Sequence, residues 1–259
     1  MQAALLIVVA ILTVAAWLLT YSTYQQMGLL MQIGVPMSLE MAGSAGIVSF
    51  TAFVGMWLVM MVAMMLPSSY PTLRLHRTVY CKRNPNVSGG TFLFALGYFL
   101  VWTASGAFFY LGYVLIGSMR SHIPGSEVSV LRAAGFALIL AGIYQCSWFK
   151  RACLTHCQNP LHFVMEHWYD GNLGSLRMGA MHGLYCFGCC WGLMVILFVM
   201  GIMHLGWMAA IGALILIEKV LPSAKWIPNA IGALFLVVGG VVMLFPETLS
   251  RLSSQVALF

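Results

Sequence analysis

Residues 180–202, AMHGLYCFGCCWGLMVILFVMGI, contain no Asp, Glu, Lys or Arg. As a helix rising 1.5 Å per residue the stretch is about 34 Å long, enough to cross the roughly 30 Å hydrocarbon core of a bilayer. It decides the fold class, because six further apolar runs accompany it, at about 3–20, 48–66, 91–117, 130–148, 205–218 and 227–245. The chain of 259 residues is 61% hydrophobic and 7% charged, against about a quarter charged in a soluble domain, so it cannot cover a globule with polar surface. The sequence therefore predicts an all-α, polytopic membrane helix bundle of about seven transmembrane helices. The first run has no Lys or Arg before it and exceeds the usual signal-peptide core, so it reads as a retained helix. The run at 205–218 follows its predecessor so closely that the two read as a tight hairpin.

Lys and Arg in short loops favour the cytoplasmic side. Arg74, Arg77, Lys82 and Arg83 follow the second run; Lys150, Arg151 and Arg177 follow the fourth; Lys219 and Lys225 follow the sixth. The alternate loops are poor in them: 21–47 has none and 118–129 only Arg120. Seven spans put the rich loops on one side, with the N-terminus inside, the C-terminus outside, and the chain multi-pass in the inner (cytoplasmic) membrane. Its net charge of +6 is scattered, which gives no footprint for nucleic acid. Three parts are expected: 1–47 as the first helix with a Met-containing external loop, 48–246 as the membrane domain, and 247–259 as a short external tail.

This orientation places all seven cysteines in cytoplasmic loops or the cytoplasmic half of the membrane. A reducing compartment and an odd count argue against structural disulfides and for free thiols. On a helical wheel with His182 at zero, Cys186 falls at about +40°, Cys189 at −20°, Cys190 at +80° and Met194 at +120°. His182, Cys186 and Cys189 share one narrow stripe. Met60 and Met64 lie on one face of the second run, and Met64 and Met65 precede Pro67 at its cytoplasmic end. Cys153, His156 and Cys157 lie within one turn after the fourth run, and Glu218 closes the sixth.

Thiolate and thioether donors select Cu(I), and thiolates with imidazole also suit zinc. Five Glu and one Asp are too few for calcium or magnesium cages. The bland readings are specific. Most of the nineteen Met fill the core, and a lone buried Cys packs as a small hydrophobe. Cys153 and Cys157 could be incidental thiols on an amphipathic loop helix. Glu218 fits an interfacial ion pair with Lys219 equally well. His162 and His167 read as interfacial polar residues, and His76 and His122 as ordinary loop residues. Met27, Met31, Met37 and Met41 with Glu40 in the outer loop could collect copper or lie on the surface. No phosphate loop, zinc-protease or serine-hydrolase motif is present, and no enzymatic reaction follows from any residue.

Four segments, WLVMMVAMMLPS, YQCSWFKRACLTHCQNP, GLYCFGCCWGLM and WMAAIGALILIEK, together resemble the DUF2182 family of predicted metal-binding integral membrane proteins, some of whose members are labelled copper chaperones. The resemblance covers about residues 48–246. It points to Met64, Met65, Cys153, Cys157, Cys186, Cys189 and Cys190, and Trp191, Met194, Glu218 and Lys219 also fit its pattern. The expected function is Cu(I) handling, with a copper donor or a membrane cuproprotein as partner besides the bilayer. Cys186 and Cys189 are the expected primary ligands, Cys190 or His182 the third, and Met60 or Met64 an exchangeable donor. The rivals are a thiol-redox protein cycling Cys186 and Cys189, a non-catalytic assembly subunit, and a b-type haem protein using His182.

Overall fold

The computed structural model describes residues 2–32, 47–83, 89–122, 127–200, 205–221 and 226–246. Among them are nine helices and no strand: α1 (Gln2–Gln32), α2 (Ile47–Arg83), α3 (Gly90–His122), α4 (Glu127–Gln145), α5 (Trp148–Gln158), α6 (Pro160–Glu166), α7 (Gly171–Met200), α8 (Leu205–Val220) and α9 (Ile227–Leu244). Within the described residues, each of the seven apolar runs lies mainly on one helix. Among the described residues, five segments are long and apolar enough to cross a membrane: Ala3–Gln26, Ser49–Arg83, Gly90–Gly112, Gly171–Leu197 and Ile227–Leu244.

Several boundaries differ from the sequence expectation: α7 begins at Gly171 and carries Arg177, and α3 runs on to His122, so these residues and Arg120 are helical rather than in loops. Residues 21–32, read as part of an external loop, continue α1, whereas the rest of that loop's Met cluster, Met37 and Met41 with Glu40, lies outside the described residues. The turn between α7 and α8 and the tail 247–259 lie outside them too. The second run does not stop at Pro67. Its helix continues through Pro67 and Pro71 to Arg83, about 55 Å in all, so Arg74, Arg77 and Lys82 stand on helical turns rather than in a loop. Each proline removes one N–H from the ladder, but packing holds the helix: Ser69, Thr72, Leu73, His76 and Tyr80 form a buried stripe at helical spacing. His76, read as a loop residue, is therefore wholly buried, with its ring 4.7 Å from that of Phe94.

The fourth run, expected to reach 148, ends at Gln145. Ser147 takes an extended conformation (φ −69°, ψ 152°) and its side chain accepts from the Lys150 N–H, which starts a new helix, α5, at Trp148. The buried face of α5 is Lys150, Cys153, Leu154 and Cys157, spaced i, i+3, i+4, i+7. A sharp corner at Asn159–Pro160 then begins α6.

α7 is the central helix and touches α3, α4, α5 and α8; α2 packs on α1, α3 and α8. Close helix contacts rest on glycine. A Cβ at Gly179 of α7 would run into the Phe94 carbonyl of α3, and one at Gly97 of α3 into the Leu176 carbonyl of α7. In the α4–α9 pair, Gly135 faces Gly239 and Gly142 faces Gly232, each position about 3 Å from the opposing carbonyl oxygen were a Cβ present. The surface is apolar where a soluble protein's is not: Ile11, Leu18, Phe92, Phe108, Leu234 and Val237 are exposed, while Lys150 and Glu218 are buried.

Gly179→Val is expected to lower the unfolding temperature sharply, since forcing side-chain atoms into packed backbone costs about 1–3 kcal/mol or more. Gly55→Ala, where no atom lies within 4 Å of the new Cβ, is expected to change stability by no more than about 1 kcal/mol. Thermal unfolding of the detergent-solubilised protein, followed by tryptophan fluorescence, reads both.

Candidate metal centre

Five buried thiols lie on α5 and α7, two helices that pack together: Cys153 and Cys157 from α5, and Cys186, Cys189 and Cys190 from α7. α5 can approach because Gly188 has no side chain; a Cβ there would stand 2.7 Å from the Cys153 sulfur. The Cys189 and Cys157 sulfurs are 3.9 Å apart. The Cys189 and Cys190 thiols both donate back to the Cys186 carbonyl, at 3.1 and 2.8 Å, which fixes their rotamers along the helix. Hydrogen bonding to Cys186, and then to Cys189, pushes the Cys157 thiol well above its ordinary range. Burial pushes the Cys153 thiol up.

The centre of the cluster is the Cys186 sulfur. The Tyr98 hydroxyl of α3 lies 2.9 Å from it, and the Lys219 ammonium of α8 donates to it at 3.0 Å. Lys219 also donates to the Ser68 hydroxyl of α2, at 3.1 Å. One sulfur thus gathers groups from α3 and α8, and through Lys219 from α2. The Tyr144 hydroxyl of α4 bonds to the Gly188 carbonyl beside it.

Glu218 is not paired with its neighbour Lys219. Its carboxylate takes the Lys150 ammonium at 2.7 and 2.9 Å and the Gln145 side-chain amide at 2.5 Å, and its backbone carbonyl accepts from Gln158 at 2.7 Å. This buried pair clamps α5 to α8 and so presents Cys153 and Cys157 to α7.

The other expected site residues are all buried. Met64 lies against Gly212 of α8, and Met60, Met65 and Met194 belong to the same core cluster as the five cysteines. His182 sits one turn before Cys186 with its ring stacked on Tyr98 (5.5 Å between centroids) and 5.1 Å from Phe163; its Nδ1 makes no hydrogen bond. The sequence reading missed Tyr98, Ser68 and Lys150. Tyr98 and Lys150 are joined to their partners across 88 and 68 residues, and nothing local signals those pairings.

Chemically, the cluster offers sulfur in a dry place with one fixed positive charge beside it. Such a set suits a soft monovalent ion far better than a hard cation, which needs many oxygens.

Removing one member of a buried ion pair leaves the other charge uncompensated, at a cost of about 3–5 kcal/mol. Lys150→Met is therefore expected to destabilise the protein by that order, and Lys150→Met/Glu218→Leu to recover most of the loss. Paired thermal and denaturant unfolding curves check it.

No curated protein and no solved structure matches the chain. A family model described as copper chaperone, PpoB2, matches residues 54–242, a range that holds α3 to α8 entire and every residue of the thiol cluster. The match covers well over half of the sequence, and the chain belongs to the PpoB2 copper chaperone family.

Proposed function

We propose that the protein is a multi-pass protein of the inner membrane that carries Cu(I) at the Cys186 centre and hands it to a membrane cuproprotein. The observation that carries this reading is the Cys186 sulfur, held by Lys219 and Tyr98 next to the Cys189 and Cys157 thiols. Cys186 and Cys189 are the primary ligands. Cys157, whose sulfur lies 3.9 Å from that of Cys189, serves as the third in place of Cys190 or His182, and Met64 is the exchangeable thioether. Glu218 acts through Lys150 as the strut that positions α5.

Lys219 explains how a charged ion enters a medium of low dielectric. With its ammonium paired to a Cys186 thiolate, Cu(I) replaces the proton of the Cys189 thiol, and the net charge of the site is the same before and after. The proton leaves with the solvent or the donor. Uncompensated charge in such a medium is costly, so this exchange lets copper load and unload without a large electrostatic barrier. The many exposed Leu, Ile, Val and Phe side chains support the membrane setting.

A second reading, thiol redox, is favoured by one observation: the 3.9 Å approach of the Cys157 and Cys189 sulfurs. It replaces the sequence-level pairing of Cys186 with Cys189 by one between helices.

Detergent-purified protein prepared anaerobically from copper-supplemented cells is expected to hold about one copper per chain by mass spectrometry, and Cys186→Ser/Cys189→Ser to hold none. Metal-free wild type that takes up no Cu(I) but shows a two-electron thiol couple lost in Cys157→Ser would replace copper carriage by the redox reading. Lys219→Met, which makes the loaded site anionic, is expected to weaken Cu(I) binding by on the order of tenfold, about 1.4 kcal/mol, in competition with a chromophoric chelator.

A further inference from the structure

A second group of donors, without sulfur, lies at the corner between α5 and α6. His162 and Glu166 are one turn apart on α6, His156 comes from the last turn of α5, and His167 is the residue that ends α6. The Pro160 corner folds the two short helices so that three imidazoles surround one carboxylate. The Nδ1 atoms of His162, His156 and His167 lie 3.4, 3.8 and 3.8 Å from the same oxygen of Glu166. One ligand atom each from His156, His162 and Glu166 fall within 4.8 Å of one another.

As surface ion pairs these contacts would be worth little. Two features set them apart. The Nδ1 atoms of His156 and His167 are shielded from solvent and have no hydrogen-bond partner, a state that costs free energy unless something else satisfies them. The rings are also held from behind: His156 stacks on Tyr185 at 4.2 Å, the Tyr185 hydroxyl lies 3.4 Å from Nε2 of His167, and Phe163 stacks on His167 at 5.0 Å. A partner on the far ring nitrogen is what orients a ligating histidine.

We propose that His156, His162 and Glu166, with His167 available as a fourth ligand, form a site for a divalent first-row cation of borderline hardness, such as Zn2+. Imidazole and carboxylate donors suit such ions, and the site lacks the thiolates that select Cu(I). Tetrahedral coordination at bonds of about 2.0–2.1 Å spaces ligand atoms roughly 3.3–3.4 Å apart. The observed separations need to close by less than about 1 Å on each side chain, within reach of rotation of the exposed His162 and Glu166. The site stands independently of the Cu(I) reading.

The test is a Co2+ titration of the full-length protein in detergent, thiols reduced and oxygen excluded, followed by back-titration with Zn2+. Wild type is expected to give saturable visible d–d bands without sulfur-to-cobalt charge transfer, displaced by Zn2+ and retained in Cys186→Ser/Cys189→Ser. His162→Ala and Glu166→Gln alter exposed side chains. Each is expected to weaken binding by at least the roughly 10–100-fold that loss of an outer-shell partner costs. Equal affinity in wild type and both variants overturns the site, as does the absence of a saturable nitrogen–oxygen spectrum. A spectrum dominated by sulfur charge transfer and lost in the cysteine variant also overturns it, while leaving the thiol centre intact.

Discussion

The Lys150–Glu218 pair is the contact on which the arrangement of the sulfur groups depends. α5 has eleven residues, too few to hold a position by helix formation alone. A buried charge on α5 and its counter-charge on α8 fix its rotation and its depth together. Because Cys153 and Cys157 share the face of Lys150, the ion pair decides which way they point. Gln145 and Gln158 add bonds to the same glutamate from just before α5 and from its last residue, so both ends of the short helix are tied to one place. A hydrophobic contact could supply stability there, but it would not fix direction as an ion pair does.

The same glutamate also explains the division of labour between two adjacent residues. Glu218 and Lys219 differ by 100° on the helix, so one addresses α5 while the other addresses α7 and α2. Lys219 bridges Ser68 and Cys186. The negative charge in this region is assigned to structure, and a positive charge is left beside the thiols. Where charges are few, their placement is informative: the whole chain has only six acidic residues, and one of them is spent deep inside.

Periodicity made the cysteine stripe of α7 legible in the sequence, since i, i+3 and i+4 spacing fixes a shared face whatever the neighbours are. Apolar runs made the helices legible for a similar reason. What surrounds Cys186 was not legible. Tyr98 sits in a helix that is apolar all round, so no amphipathic face marks which side meets α7. The partner of Glu218 was not legible: adjacency offered Lys219 as one of two alternatives, whereas helix geometry turns adjacent residues apart and Lys150 takes the carboxylate. The continuation of α2 beyond Pro67 was not legible, because proline is a local signal and the buried stripe that overrides it is tertiary. The break at Ser147 was written in a residue type that caps helices, but the apolar run masked it.

The glycine contacts between α4 and α9 carry a different consequence, one for inheritance. Where two helices meet backbone to backbone, affinity comes from van der Waals contact and weak Cα–H···O bonds rather than from interlocking side chains. The four positions 135, 142, 232 and 239 then tolerate almost no substitution. The outward positions of the same helices, such as Phe136, Leu140, Leu234 and Val237, need only stay greasy. Descendants of this sequence can drift freely in most of that pair and still assemble, provided four hydrogen atoms remain where side chains would otherwise be.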